Sequence, residues 1–208
     1  MVHCVAASPI GLCAILWIMD KSALKKLLSI ENESRRRAFF IALLSGEMAR
    51  IGADRPIVVD GEAVELYTQG HYTTGDINIK GQKDALETVL MDWGFVKEGR
   101  VWASREYDLY IDWLGGSLDE GAEAEKRTNI IALAPELEIR VISFEDLIVD
   151  RLCAAKYWDD SDSLMWAKVL LEILMKVGGA DTGYLTKRAE EENVADILSP
   201  LLQKGDSK

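Results

Sequence analysis

Asp76 and Asn78 stand two residues apart in the segment Gly75-Asp76-Ile77-Asn78-Ile79, so on an extended strand their side chains share one face. Asp112 closes a second strand-like run, Leu109 to Leu114, and joins them if the two strands pair. Carboxylates on adjacent strands suit phosphoryl or nucleotidyl transfer, where the protein holds a Mg2+ ion against the phosphates and positioning does most of the rest. Asp60-Gly61 lies just before a helical pattern, where backbone N–H groups can face a phosphate. Two of these residues also have a purely structural reading. Asp76 can cap the turn Thr73 to Asp76, and Asp112 can be a strand end facing solvent.

The elements that must position these side chains follow from periodicity. Residues 20–52 read as two packed helices, one set by Leu24, Leu27 and Leu28 and one by Phe39 to Met48, with Glu31 to Arg37 as a charged break. The basic run Arg35 to Arg37 reads as a solvated helix face. Pro56 to Val59 is a β-branched strand, Asp60-Gly61 a turn, and Glu62 to Gln69 a helix. Gly70 to Gly75 is turn-like, Ile77 and Ile79 mark a strand, and Asp84 to Trp93 is a helix closed by Gly94. Strands follow at Arg100 to Ser104, Leu109 to Leu114, Asn129 to Leu133 and Glu138 to Ile142, with Pro135 in the last turn. From Phe144 onward the pattern is helical, over Asp146 to Tyr157, Leu164 to Val177, Thr182 to Glu192 and Ala195 to Leu202. Asp159, Asp160 and Asp162 lack the glycine and closing glutamate of a calcium loop and read as a helix N-cap cluster. Tyr67 and Trp102 read as core residues.

The segment VVDGEAVELYTQGHYTTGDINI, Val58 to Ile79, resembles the signature of the minimal nucleotidyltransferases that include AbiEii-type toxins. YIDWLGG resembles the strand bearing that family's third carboxylate, and IRVISFEDLIVDRLCAAKYW its passage into a helical C-terminal part. The resemblance covers Val58 to Leu170 and implies an α/β (α+β) fold, a nucleotidyltransferase-like mixed β-sheet flanked by helices. It implies Asp76 and Asp112 as catalytic residues, with Asp76, Asn78 and Asp112 holding Mg2+, and Gly61, Glu62, Asn78 and Lys156 meeting the nucleotide. Lys156 equally reads as a surface lysine on an amphipathic helix. The chain departs from the pattern at Asn78, which stands where the family has a second carboxylate. Asp60 and Glu62 replace the small residues that approach the triphosphate. An asparagine lends an oxygen but no charge, so metal affinity should fall.

Composition narrows the partners. Among 208 residues, 35 acidic against 24 basic side chains give a formal charge of -11, which opposes general DNA binding but not a nucleoside triphosphate that arrives with its cation. Cys4, Cys13 and Cys153 form no CxxC pair, and His3 and His71 are far apart, so neither a zinc centre nor a disulfide framework is expected, and a cytoplasmic setting is. Ile10 to Met19 is apolar but too short to span a bilayer, and Met19 reads as the true start. The expected organisation is a hydrophobic extension over 1–19, helices over 20–54, an α/β core over 55–145 and a helical region over 146–208.

Three functions compete. The first is metal-dependent transfer of a nucleotidyl group from a nucleoside triphosphate to a hydroxyl on RNA, protein or a small molecule. The second is a catalytically degenerate member of the same fold that binds a nucleotide or a partner protein, as a toxin–antitoxin component, and Asn78 is the feature favouring it. The third is a helical interaction protein, a toxin or antitoxin component whose C-terminal helices contact a partner.

Overall fold

The computed structural model describes residues 21–205. The expectations for Met19, the apolar segment before it, Cys4, Cys13 and His3 fall outside those residues. A short helix α1 (Ser22–Lys25) runs into a single 3-10 turn (Lys26–Ser29), and the long helix α2 spans Glu33–Arg50. Asn32 starts α2 by accepting the Arg35 N–H at 2.8 Å, so the break between the helices is Ile30 to Asn32. Arg35 to Arg37 therefore lie inside α2. Arg37, Phe40, Ile41, Leu44 and Met48 recur at helical spacing and are all buried, which corrects the reading of Arg37 as solvated.

Seven strands form one mixed sheet: β1 (Ile57–Val58), β2 (Ile77–Lys80), β3 (Val96–Glu98), β4 (Val101–Ser104), β5 (Leu109–Trp113), β6 (Asn129–Ala134) and β7 (Leu137–Val141). Their spatial order is β3-β4-β5-β2-β1-β7-β6. β1 runs antiparallel to β2 and parallel to β7, while β2 and β5 are parallel. Ile77 and Ile79 of β2, Ile111 of β5 and Val58 of β1 point to one side, into a core shared with Phe40 and Leu44 of α2 and Leu86 and Leu90 of α4 (Lys83–Asp92). The opposite side of β2 and β5 is left for polar groups.

Helix α3 (Asp60–Tyr67) follows β1 at once, and its end is locked when the Tyr67 hydroxyl donates to the Ile142 carbonyl at 2.6 Å. Tyr67 and Trp102 are both core residues, as expected. Two elements escaped the sequence reading. β3 pairs with β4 through a two-residue turn in which Gly99 takes a φ of +66°, and α5 (Ala122–Arg127) bridges β5 to β6.

The C-terminal helices are α6 (Phe144–Tyr157), α7 (Ser161–Val177), α8 (Thr182–Glu191) and α9 (Ala195–Gly205). Asp160 caps α7 by accepting from the N–H groups of Asp162 and Ser163. Buried Asp146 of α6 accepts from the Tyr184 hydroxyl at 2.9 Å and from Arg188 at 3.3 Å, tying α6 to α8. Among the described residues no helix is long and apolar enough to cross a membrane.

Candidate functional site

The parallel register of β2 and β5 sets Asn78 directly opposite Asp112. Asp76, two residues before Asn78, points to the same side. The Asn78 amide donates to Asp76 Oδ2 at 3.1 Å, and the Thr74 hydroxyl donates to Asp76 Oδ1 at 3.0 Å. The three residues read from sequence as metal ligands are thus brought together on the polar side of the sheet.

Asp112 is only 1% exposed. Its Oδ2 meets Arg100 Nη2 at 2.8 Å, while Oδ1 is buried with no hydrogen-bond partner. Burial pushes its carboxyl above the usual aspartate range, Arg100 pulls it back down, and the charge of Asp76 pushes it up again. Arg100 reaches Asp112 because the Gly99-Arg100 turn precedes Val101, which pairs with Asp112 across β4 and β5. Lys80, two residues beyond Asn78, lies on the same face, is 7% exposed and pairs with Asp119. Lys80 is not among the site residues expected from sequence, although the alternation Asp76-x-Asn78-x-Lys80 places it on this face.

Gly61 sits in the first turn of α3 against the loop preceding β2. A Cβ there would come within 3.2 Å of the Thr74 hydroxyl oxygen and 3.3 Å of the Tyr72 hydroxyl oxygen, so the missing side chain lets α3 close on that loop. Tyr72 is held from the helical side by an edge-on contact with Trp166 of α7, ring centroids 5.1 Å apart. Asp60 adopts a φ of +50° and accepts from Arg151 of α6, which also pairs with Asp150 at 2.6 Å.

Two expected nucleotide contacts lie elsewhere. Glu62 is fully buried against Arg37 of α2, at 3.1 Å, because α3 turns this residue toward α2 and away from solvent. Burial, offset by Arg37, pushes its carboxyl up to about 8. Lys156, near the end of α6, donates to Asp196 at 2.8 Å and to the Asn193 carbonyl at 2.6 Å, which engages it with α9 and the turn before it.

Among the described residues no three His, Cys, Asp or Glu side chains are arranged to hold a metal ion. Two carboxylates and an amide remain at Asp76, Asn78 and Asp112, and the unpartnered Asp112 Oδ1 is an acceptor without a donor. That set fits one Mg2+ arriving with its own phosphate oxygens, since magnesium at phosphate sites needs only one or two protein carboxylates. It does not fit an all-protein cage.

No protein-family model matches the chain, and no curated protein matches it significantly. Two solved structures of ANT(2'')-Ia are similar to it in shape. One is a crystal structure in complex with adenylyl-2''-tobramycin, 17% identical, with a TM-score of 0.49 over 74% of this chain and 95% of that one. The other is a solution structure of the same antibiotic-resistance factor, 15% identical, with a TM-score of 0.48 over 88% of this chain and 99% of that one.

Proposed function

We propose that the chain is a nucleotidyltransferase-like protein that moves a nucleotidyl group from a nucleoside triphosphate to a hydroxyl acceptor. The observation carrying this reading is the unpartnered oxygen of Asp112, buried opposite Asn78 and on the same side of the sheet as Asp76. Asp76 and Asp112, with the Asn78 side-chain oxygen, would hold a Mg2+ ion. When bound, that ion neutralises the phosphates and polarises the reacting phosphorus. Asp112 takes the proton of the attacking hydroxyl, a role suited by a carboxyl raised above the ordinary aspartate range. The acceptor oxygen bonds to the α-phosphorus as the bond to pyrophosphate breaks. Gly61 keeps the first turn of α3 close to the loop carrying Thr74 and Asp76. The acceptor is RNA, a protein or a small molecule, and the setting is the cytoplasm.

A second reading is favoured by one contact. The Asn78 amide already donates to Asp76, occupying one oxygen of the carboxylate that a metal would otherwise seek. In this reading the fold binds a nucleotide or a partner protein without turnover, as a toxin–antitoxin component.

Asn78→Asp separates the two. Measured as Mg2+-dependent pyrophosphate release from each of the four nucleoside triphosphates, wild-type turnover that rises in the variant supports the enzyme. Silence in both proteins leaves the binding role.

A further inference from the structure

We propose that Arg37 of α2 is a positioning residue for the Asp76 carboxylate, acting through Glu65 and Thr74. The inference rests on the nucleotidyl-transfer reading and deepens it. Four contacts form the chain. Arg37 donates from Nε to Glu62 at 3.1 Å and from a terminal nitrogen to Glu65, both on α3. The other oxygen of Glu65 accepts the Thr74 backbone N–H at 2.8 Å. The Thr74 hydroxyl then donates to Asp76 Oδ1 at 3.0 Å.

Burial makes this chain stiff. Arg37, Glu62 and Glu65 are 7%, 0% and 2% exposed, so water offers no alternative partners for the guanidinium or the two carboxyls. A planar guanidinium can hold two acceptors at once in a fixed fork, which a lysine cannot copy. Glu62, held up to about 8 by burial, keeps its proton near neutral pH and relieves the excess of acidic groups around a single cation. Gly61 completes the clamp, because a side chain there would meet the Thr74 hydroxyl at 3.2 Å. Asp76 thus takes its orientation from a helix that supplies none of the residues read as metal ligands. Both its oxygens are engaged, one by Thr74 and one by Asn78.

The experiment uses the full chain, with MgATP, MgGTP, MgCTP and MgUTP as probes in titration calorimetry and Thr74 amide exchange read by NMR. Thr74→Val deletes the hydroxyl donor at a half-buried position and keeps the backbone N–H. It should weaken Mg2+-dependent affinity about tenfold, the scale of one hydrogen bond to a charged group. Thr74→Ser, which restores the donor, should recover most of the loss. Arg37→Lys keeps the charge but loses the fork, and should speed Thr74 amide exchange about tenfold, again the scale of one such bond. Nucleotide binding in Thr74→Val equal to wild type, no recovery in Thr74→Ser, or unchanged Thr74 exchange in Arg37→Lys would overturn the relay while leaving the nucleotide site standing. A wild-type protein that binds none of the four nucleotides overturns the functional reading, and the relay falls with it.

Discussion

Asp112 on the sheet and Asp146 in the C-terminal helices are equally buried, each 1% exposed, yet their surroundings differ. Asp146 is saturated: the Ser143 hydroxyl reaches one oxygen at 2.7 Å, Arg188 the other at 3.3 Å, and the Tyr184 hydroxyl touches both. Asp112 has Arg100 on one oxygen and nothing on the other. A buried carboxylate normally has its hydrogen bonds met, so the open oxygen of Asp112 can accept from an incoming ligand where Asp146 cannot. Glu62 also keeps one buried oxygen unpaired, but it is packed against α2 and not on the polar side of the sheet. Burial alone does not separate the two roles.

The contrast breaks most visibly on mutation. Asp146→Ala takes one partner from Arg188, which keeps Glu191 and Glu192, and leaves the buried Tyr184 hydroxyl without its acceptor, so it should cost about 1–3 kcal/mol, the scale of a buried donor left unsatisfied. Urea denaturation would show it. Asp112→Asn should do the reverse, leaving stability unchanged or higher while nucleotidyl transfer falls about a hundredfold or more, as expected on losing a positioned base. If both substitutions unfold the protein equally, the distinction between the two aspartates is lost.

Glu62 sharpens the comparison from the side of pH. Its carboxyl lies at 4.5 in the unfolded chain and about 8 in the folded one, so between those values the folded state holds the extra proton. Stability should therefore be full below 4.5 and fall as pH rises toward about 8, by at most about 1.4 kcal/mol per pH unit for one titrating group. Glu62→Gln should flatten that slope in melting curves recorded across the range. A slope that survives the substitution belongs to another group.

The smallest effect is expected at Arg100, 80% exposed at its side chain and bound to Asp112 by a single contact. Because the Arg100 side chain is mostly in water and the buried Asp112 carboxyl, already raised by desolvation, can take up a proton when its cation is removed, Arg100→Ala should shift the melting temperature little. Removing the competing cation should strengthen Mn2+ binding by about threefold, the scale of a weak pair with one solvent-exposed member. Electron paramagnetic resonance of free Mn2+ would detect it, and weaker binding would assign Arg100 a different role.

Much of this arrangement was legible beforehand because strands have a period of two. The alternation through Asp76, Ile77, Asn78 and Ile79 fixed which side chains share a face, and the run ending near Asp112 supplied the partner strand. What stayed hidden depended on contacts distant in sequence. Glu62 and Lys156 look like available polar groups until α2 and α9 are packed against them. Arg37 was readable in principle, since it falls in phase with Phe40, Ile41, Leu44 and Met48, but its neighbours Arg35 and Arg36 suggested a solvated run. β3 was missed because Val96, Lys97 and Glu98 are all exposed and show no alternation of burial. α5 is six residues long and rich in charge, with Ala124 as its only buried residue.

The most direct test of the central claim is titration calorimetry of the protein with ATP, GTP, CTP and UTP, with and without Mg2+, in wild type and Asp76→Ala. Binding of at least one nucleotide that requires Mg2+ and is lost in Asp76→Ala is the predicted result. Binding of none, or binding indifferent to both Mg2+ and Asp76, would contradict a nucleotide site on this face of the sheet.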